Sequence, residues 1–76
     1  MTNYIQDREG NIWSRKQKEW IEPSVWTSWS PYRLQVECAF KTYRGCNQVA
    51  GALWRKGFDT YQWGAIKLDP IKQVHA

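Results

Sequence analysis

Residues 30–59 read SPYRLQVECAFKTYRGCNQVAGALWRKGFD, and the punctuation of this stretch decides the fold. Ser30-Pro31 is a helix start, because Ser caps free N–H groups and Pro is tolerated at the first helical position. Val36, Ala39, Phe40 and Tyr43 follow at helical spacing, with Tyr32 one turn earlier. Gly45 is placed to stop that helix through a left-handed residue. Asn47 is placed to cap a second helix with Val49, Ala50, Leu53 and Trp54 on one face, stopped by Gly57. Asp59 is placed to cap a third helix running through Trp63 and Ile66 to Leu68, ended by Asp69-Pro70. A competing pattern runs through the same residues. Leu34, Val36, Cys38 and Phe40 alternate with Gln35, Glu37 and Lys41, as in a half-buried strand, and Arg44-Gly45 would turn it back into residues 48–54. Three agreeing start–stop pairs favour the helical pattern.

Outward from this stretch, residues 3–14 predict a hairpin. Tyr4-Ile5-Gln6 and Asn11-Ile12-Trp13 flank Asp7-Arg8-Glu9-Gly10, and Gly10 takes a positive φ at low cost. Ile5, Ile12 and Trp13 are its expected core contacts. Residues 15–30 are expected to be a connector, with a short turn capped by Ser14 and a break at Glu22-Pro23-Ser24. Residues 69–76 are expected to be a tail. The expected whole is one domain over residues 1–76. It is of α+β class, a short N-terminal hairpin packed on a three-helix unit at 31–68. The alternative is a small, mainly antiparallel β domain.

Seventy-six residues bury only about 60% of the unfolded surface, so one small core is expected. Six Trp, four Tyr and two Phe are too many to hide in it, and exposed Trp and Tyr favour binding surfaces. Eleven Lys and Arg against seven Asp and Glu give a net charge of +4, which suits an anionic partner. Cys38 and Cys46 are too few for a disulfide framework and lack metal-ligand spacing, and the single histidine is His75. Free thiols, no cofactor and no metal are expected. The first residues lack the basic-then-apolar order of a signal peptide, and no window is apolar enough to span a membrane. A cytoplasmic protein with no membrane partner is the expectation.

Ala39 to Leu53 resembles the first two helices of a helix-turn-helix domain, a likeness extending over residues 31–68. In that family a helix ends near a Gly, and small residues such as Ala50 and Ala52 let helices approach, with Leu53 in the core. The Trp54-Arg55-Lys56-Gly57-Phe58 connection is longer than the family's tight turn. The resemblance implies that residues 59–68 read DNA, since base edges in the major groove are contacted from the start of such a helix. Thr60, Tyr61 and Gln62 would sit there, with Lys67 about two turns on. Arg55 and Lys56 would hold phosphates, and Arg15, Lys16 and Lys18 would hold the flanking backbone or reach a minor groove. Duplex DNA is the expected partner, with a homodimer enlarging a limited interface. The wording Val25-Trp26-Thr27-Ser28-Trp29-Ser30 is similar to the Trp-Ser box of cytokine receptors and the Trp-rich start of thrombospondin repeats, but nothing else in the chain matches those extracellular modules.

No His, paired carboxylates, Gly-rich phosphate loop or nucleophile–base pair is placed for catalysis, so an enzyme is not expected. The second expectation comes from the aromatic excess. It is a protein-binding inhibitor or adaptor, of the kind a phage uses to block a host enzyme, anchored on a larger protein partner by Trp20, Trp26 and Trp29.

Overall fold

The computed structural model describes residues 2–70. Its first element follows from Asp7 and Gly10. Asp7 Oδ1 accepts from the backbone N–H of Glu9 and of Asn11, both at 2.9 Å, and Gly10 takes φ 85°. This reverses the chain between β1 (Tyr4–Gln6) and β2 (Ile12–Ser14). A second reversal follows. Ser14 Oγ accepts from Gln17 N–H at 3.0 Å, and Lys18 adopts φ 57°. It leads into β3 (Glu19–Ile21), which pairs antiparallel with β2 in the register Ile12–Ile21, Trp13–Trp20, Ser14–Glu19. Residues 15–30 are therefore not a connector. They hold a strand and the short helix α1 (Pro23–Trp26).

Helix α2 (Pro31–Cys38) begins at Ser30, whose side chain accepts from Arg33 N–H. The strand alternative for this segment is overturned: residues 31–38 are helical. The helix ends earlier than its spacing predicts, because Ala39 turns extended and Phe40 forms one antiparallel bridge with Asn3. Gly45 is no stop. Thr42 Oγ1 accepts from Gly45 N–H at 3.1 Å, so Thr42 caps α3 (Tyr43–Arg55), and both Gly45 and Asn47 lie inside it. Gly57 does end this helix, at φ 92°. Phe58 N–H reaches Leu53 O at 3.1 Å and Gly57 N–H reaches Trp54 O at 3.0 Å, the paired bonds of a Schellman cap.

The predicted third helix is absent. Residues 62–64 form β4 (Gln62–Gly64), which pairs antiparallel with β1 in the register Tyr4–Gly64, Ile5–Trp63, Gln6–Gln62. Two physical facts override the cap-like Asp59. Gly64 takes φ 106°, outside helical space, with the Tyr43 ring packed where its side chain would stand. The buried Gln6 carboxamide also binds this strand, accepting from Gln62 Nε2 at 2.8 Å and donating to Asp69 O at 2.6 Å. Among the described residues the fold is thus a four-stranded antiparallel sheet, order β3-β2-β1-β4, with three short helices, and not a hairpin on a three-helix bundle.

Both sheet faces are covered. Tyr4, Ile12 and Ile21 join Trp26 and Cys38 in one cluster, with Trp29, Leu34, Ile66 and Leu68 against it. Ile5, on the opposite face, joins Phe40 and the α3 residues Cys46, Ala50 and Leu53, with Trp13, Trp20, Val49 and Trp63 against them. Helices α1 and α2 therefore close one face and α3 the other. Residues 38–40 pass round the end of the sheet, placing Cys38 in one core and Phe40 in the other. The earlier Leu34–Phe40 alternation reflects this passage only at its end.

Candidate nucleic-acid interface

α3 buries Cys46, Ala50 and Leu53, packs half-buried Val49 beside them, and turns its opposite face outward. Arg44, Gln48 and Arg55 are exposed, with half-buried Gly51 between them, at the i, i+4, i+7, i+11 spacing of one helix face. Asn47 and Trp54 flank that row, both exposed. Residues 38–58 contain Lys41, Arg44, Arg55 and Lys56 and not one Asp or Glu. The thirteen residues of α3 make a helix about 20 Å long with cations at both ends. Past its N-terminal end an open cleft is lined by Arg15, Val36, Ala39, Phe40, Lys41 and Thr42, so Arg15 from the β2–β3 turn faces the Lys41 side.

The predicted contact residues are distributed unevenly over this surface. Arg55 and Lys56 are exposed at the α3 C-terminus, where their charge also complements the helix dipole. Arg15, Lys16 and Lys18 are exposed in the β2–β3 turn. Arg15 is already engaged. Its Nε donates to Ala39 O and its Nη2 to Val36 O, both at 3.0 Å, satisfying carbonyls at the end of α2. Lys16 N–H donates to Glu37 O at 3.0 Å. The residues assigned to a reading helix do not form one. Thr60 is buried, Gln62 is held by Gln6, and Tyr61 lies 5.3 Å beneath the Arg8 guanidinium. Tyr61, Gln62 and the exposed Lys67 line a separate cleft with Leu68, Asp69 and Pro70.

The three proposed Trp anchors are also drawn into the fold. Trp26 is 6% exposed and its Nε1 donates to Gly10 O at 2.9 Å. Trp20 meets Trp13 edge-on, with centroids 5.4 Å apart, and tilts against Phe58 at 6.2 Å. Trp29 carries the Arg33 guanidinium 4.3 Å above its ring. Trp54, assigned to the core face by its spacing, is 69% exposed. The surface residues Lys41, Arg44, Asn47, Gln48 and Trp54 were missed. The signal that finds them is the run of residues 38–58 without an acid.

Both thiols are buried. Burial is the main cause that pushes Cys38 up to about 12, with Glu37 adding to the rise and Arg15 opposing it. Burial also raises Cys46. They occupy cores on opposite faces of the sheet, and both are free. Among the described residues no cluster of three or more His, Cys, Asp or Glu could hold a metal ion; His75 lies outside them. No helix among the described residues is long and apolar enough to cross a membrane. Comparison with protein-family models, with curated proteins and with solved structures finds no match.

Proposed function

We propose that this protein is a non-catalytic nucleic-acid-binding protein that docks on duplex DNA through the exposed face of α3. The observation that carries the proposal is the acid-free surface of residues 38–58, with Arg44 and Arg55 at opposite ends of one helix face. An α-helix fits a major groove roughly 12 Å wide, and cations at its ends meet the phosphates of the groove walls. Between them, Gln48 has a carboxamide of the kind that pairs with adenine, and Gly51 and Ala52 let the helix approach base edges closely. Arg15, Lys41 and Lys56 extend the positive surface past the helix ends. A DNA partner and two unbridged thiols fit a reducing cytoplasm.

The test is fluorescence anisotropy with a labelled random duplex at low and at physiological salt. Affinity should fall steeply as salt rises. Arg44→Gln and Arg55→Gln should each weaken binding and lower the log–log salt slope by about one. An unchanged slope in both variants would remove α3 from the interface. A second reading has its own observation. Tyr32 is 76% exposed, and Tyr43 and Trp54 are exposed as well, which also suits a protein-binding adaptor or inhibitor. Failure to bind DNA at low salt would transfer the proposal to that reading.

A further inference from the structure

Beside the basic row of α3 lies a groove lined by Asn47, Ala50, Gly51, Trp54, Thr60 and Trp63, with a volume near 270 Å³. It is smaller than the roughly 300–1,000 Å³ of drug-sized pockets, so it suits a single ring system. Its lining is almost wholly apolar. Trp54 contributes an indole that is 69% exposed, and Trp63 contributes a half-buried one. Trp63 Nε1 donates to Asn47 Oδ1 at 3.0 Å, which fixes the carboxamide and leaves its NH₂ as the donor for a ligand. Gly51 adds no side chain. A Cβ there would meet only the Arg55 guanidinium, 3.8 Å away, so a cation stands at the rim.

We propose that this groove takes one unpaired nucleobase, stacked on Trp54, with Arg55 holding the adjoining phosphate; the inference rests on the α3 reading above. Stacking on an aromatic ring suits every base, because every base has a π face. The rim favours a nucleotide over a neutral apolar side chain, since no carboxylate occurs from residue 38 to residue 58 to repel its phosphate. Asp59, which ends that run, is paired with Arg8 at 3.5 Å. The protein should therefore prefer DNA with an extruded or unpaired base to a perfect duplex.

The experiment compares the full chain on a random perfect duplex, the same duplex with one unpaired nucleotide, and a single strand, all at low salt. The bulged duplex should bind about tenfold more tightly than the perfect one and should quench Trp emission. Trp54→Ala should erase that preference while leaving perfect-duplex affinity near wild type. Trp54→Phe, which keeps an exposed aromatic ring, should retain most of that preference. Trp54 lies outside the cores, and circular dichroism checks that both variants fold. Equal wild-type affinity for bulged and perfect duplex would overturn the groove inference and leave the α3 reading standing. Equal weakening of both ligands by Trp54→Ala would overturn it too, making Trp54 a general contact. Binding to none of the three DNAs would overturn both readings and leave the groove to an aromatic side chain of a protein partner.

Discussion

Replacing Gly64 by Ala separates the observed strand from the predicted helix by sign. Inside a helix, Gly→Ala stabilises by about 0.5–1 kcal/mol, because Gly loses more freedom on folding. At Gly64 the structure demands the opposite. Its φ of 106° costs an L-residue about 1–3 kcal/mol. A Cβ would also stand 2.9 Å from Tyr43 Cε1 and 3.1 Å from Cδ1. Tyr43 is 56% exposed, so its ring can swing away, which keeps this second cost near 1 kcal/mol, the low end for overpacking. The sum is a loss of about 2–4 kcal/mol. For a domain of this size that lowers Tm by on the order of 10–20 °C. Urea unfolding followed by Trp fluorescence and by circular dichroism measures it, with an unchanged m-value showing that only stability moved. Gly57→Ala is the internal control. Gly57 has a similar φ of 92° but open space around it, so its loss should be limited to the same backbone cost of about 1–3 kcal/mol, without the added contact cost. A Gly64→Ala protein as stable as wild type, or more so, would refute the strand assignment of residues 62–64 and the Tyr43 packing together.

Two further stability predictions follow from the cores. Trp26→Ala should cost about 3–5 kcal/mol, whereas Trp26→Phe should cost only about 1–2 kcal/mol, because Gly10 O keeps its bond from Gln6 Nε2 when the indole N–H is lost; a thermal melt of each variant decides, and equal stability of all three proteins would contradict burial of this side chain. Alkaline pH should destabilise the fold. In the window from about 9 to about 12 the unfolded chain releases the Cys38 proton and the folded chain retains it, so stability is whole below that window and falls through it by about 1.4 kcal/mol per pH unit. Cys46 and Tyr4 are raised in the same direction and steepen the fall. Cys38→Ala should flatten the alkaline limb of a urea-midpoint-against-pH curve, and an unaltered limb would show that Cys38 is not its source.

The residues that announced themselves in the sequence are those whose side chain or φ does local work. Asp7 and Gly10 make the first reversal, Ser30-Pro31 starts α2, and Gly57 ends α3, each within a few residues of its own partners. The elements that were misread depend on distant partners. β3 is three residues long and preceded by three cations, so it shows no alternation, and it is recognisable only through Trp13–Trp20 across the sheet. β4 exists because of β1 and of the Gln6 carboxamide, fifty-six residues away from Gln62 in sequence. Coverage of both sheet faces removed the polar/apolar period as well: Tyr4, Ile5 and Gln6 are all buried. At the surface, Arg55, Lys56 and the β2–β3 turn cations were legible as charges. The reading role given to Thr60 and Gln62 was not, because it required a helix that tertiary pairing replaced.

The aromatic excess has a physical use that narrows where function resides. A sheet covered on both sides by a chain of 76 residues must fill two thin cores, and large flat side chains fill them with few residues. Trp13, Trp20, Trp26, Trp29 and Trp63 are each buried or half-buried in that task. Packing therefore explains five of the six. Trp54 is the exception: it is 69% exposed, it follows the core residue Leu53, and the Schellman cap after it closes on backbone atoms alone. A polar residue at this position would leave the cap and both cores intact, so the fold supplies no reason for Trp there. Under the proposed reading, the reason comes from what the surface meets. Among the described residues that surface is a helix face with cations at both ends and no acid between, and under the proposed reading an exposed ring beside a row of cations is the combination that single-stranded and extruded bases require.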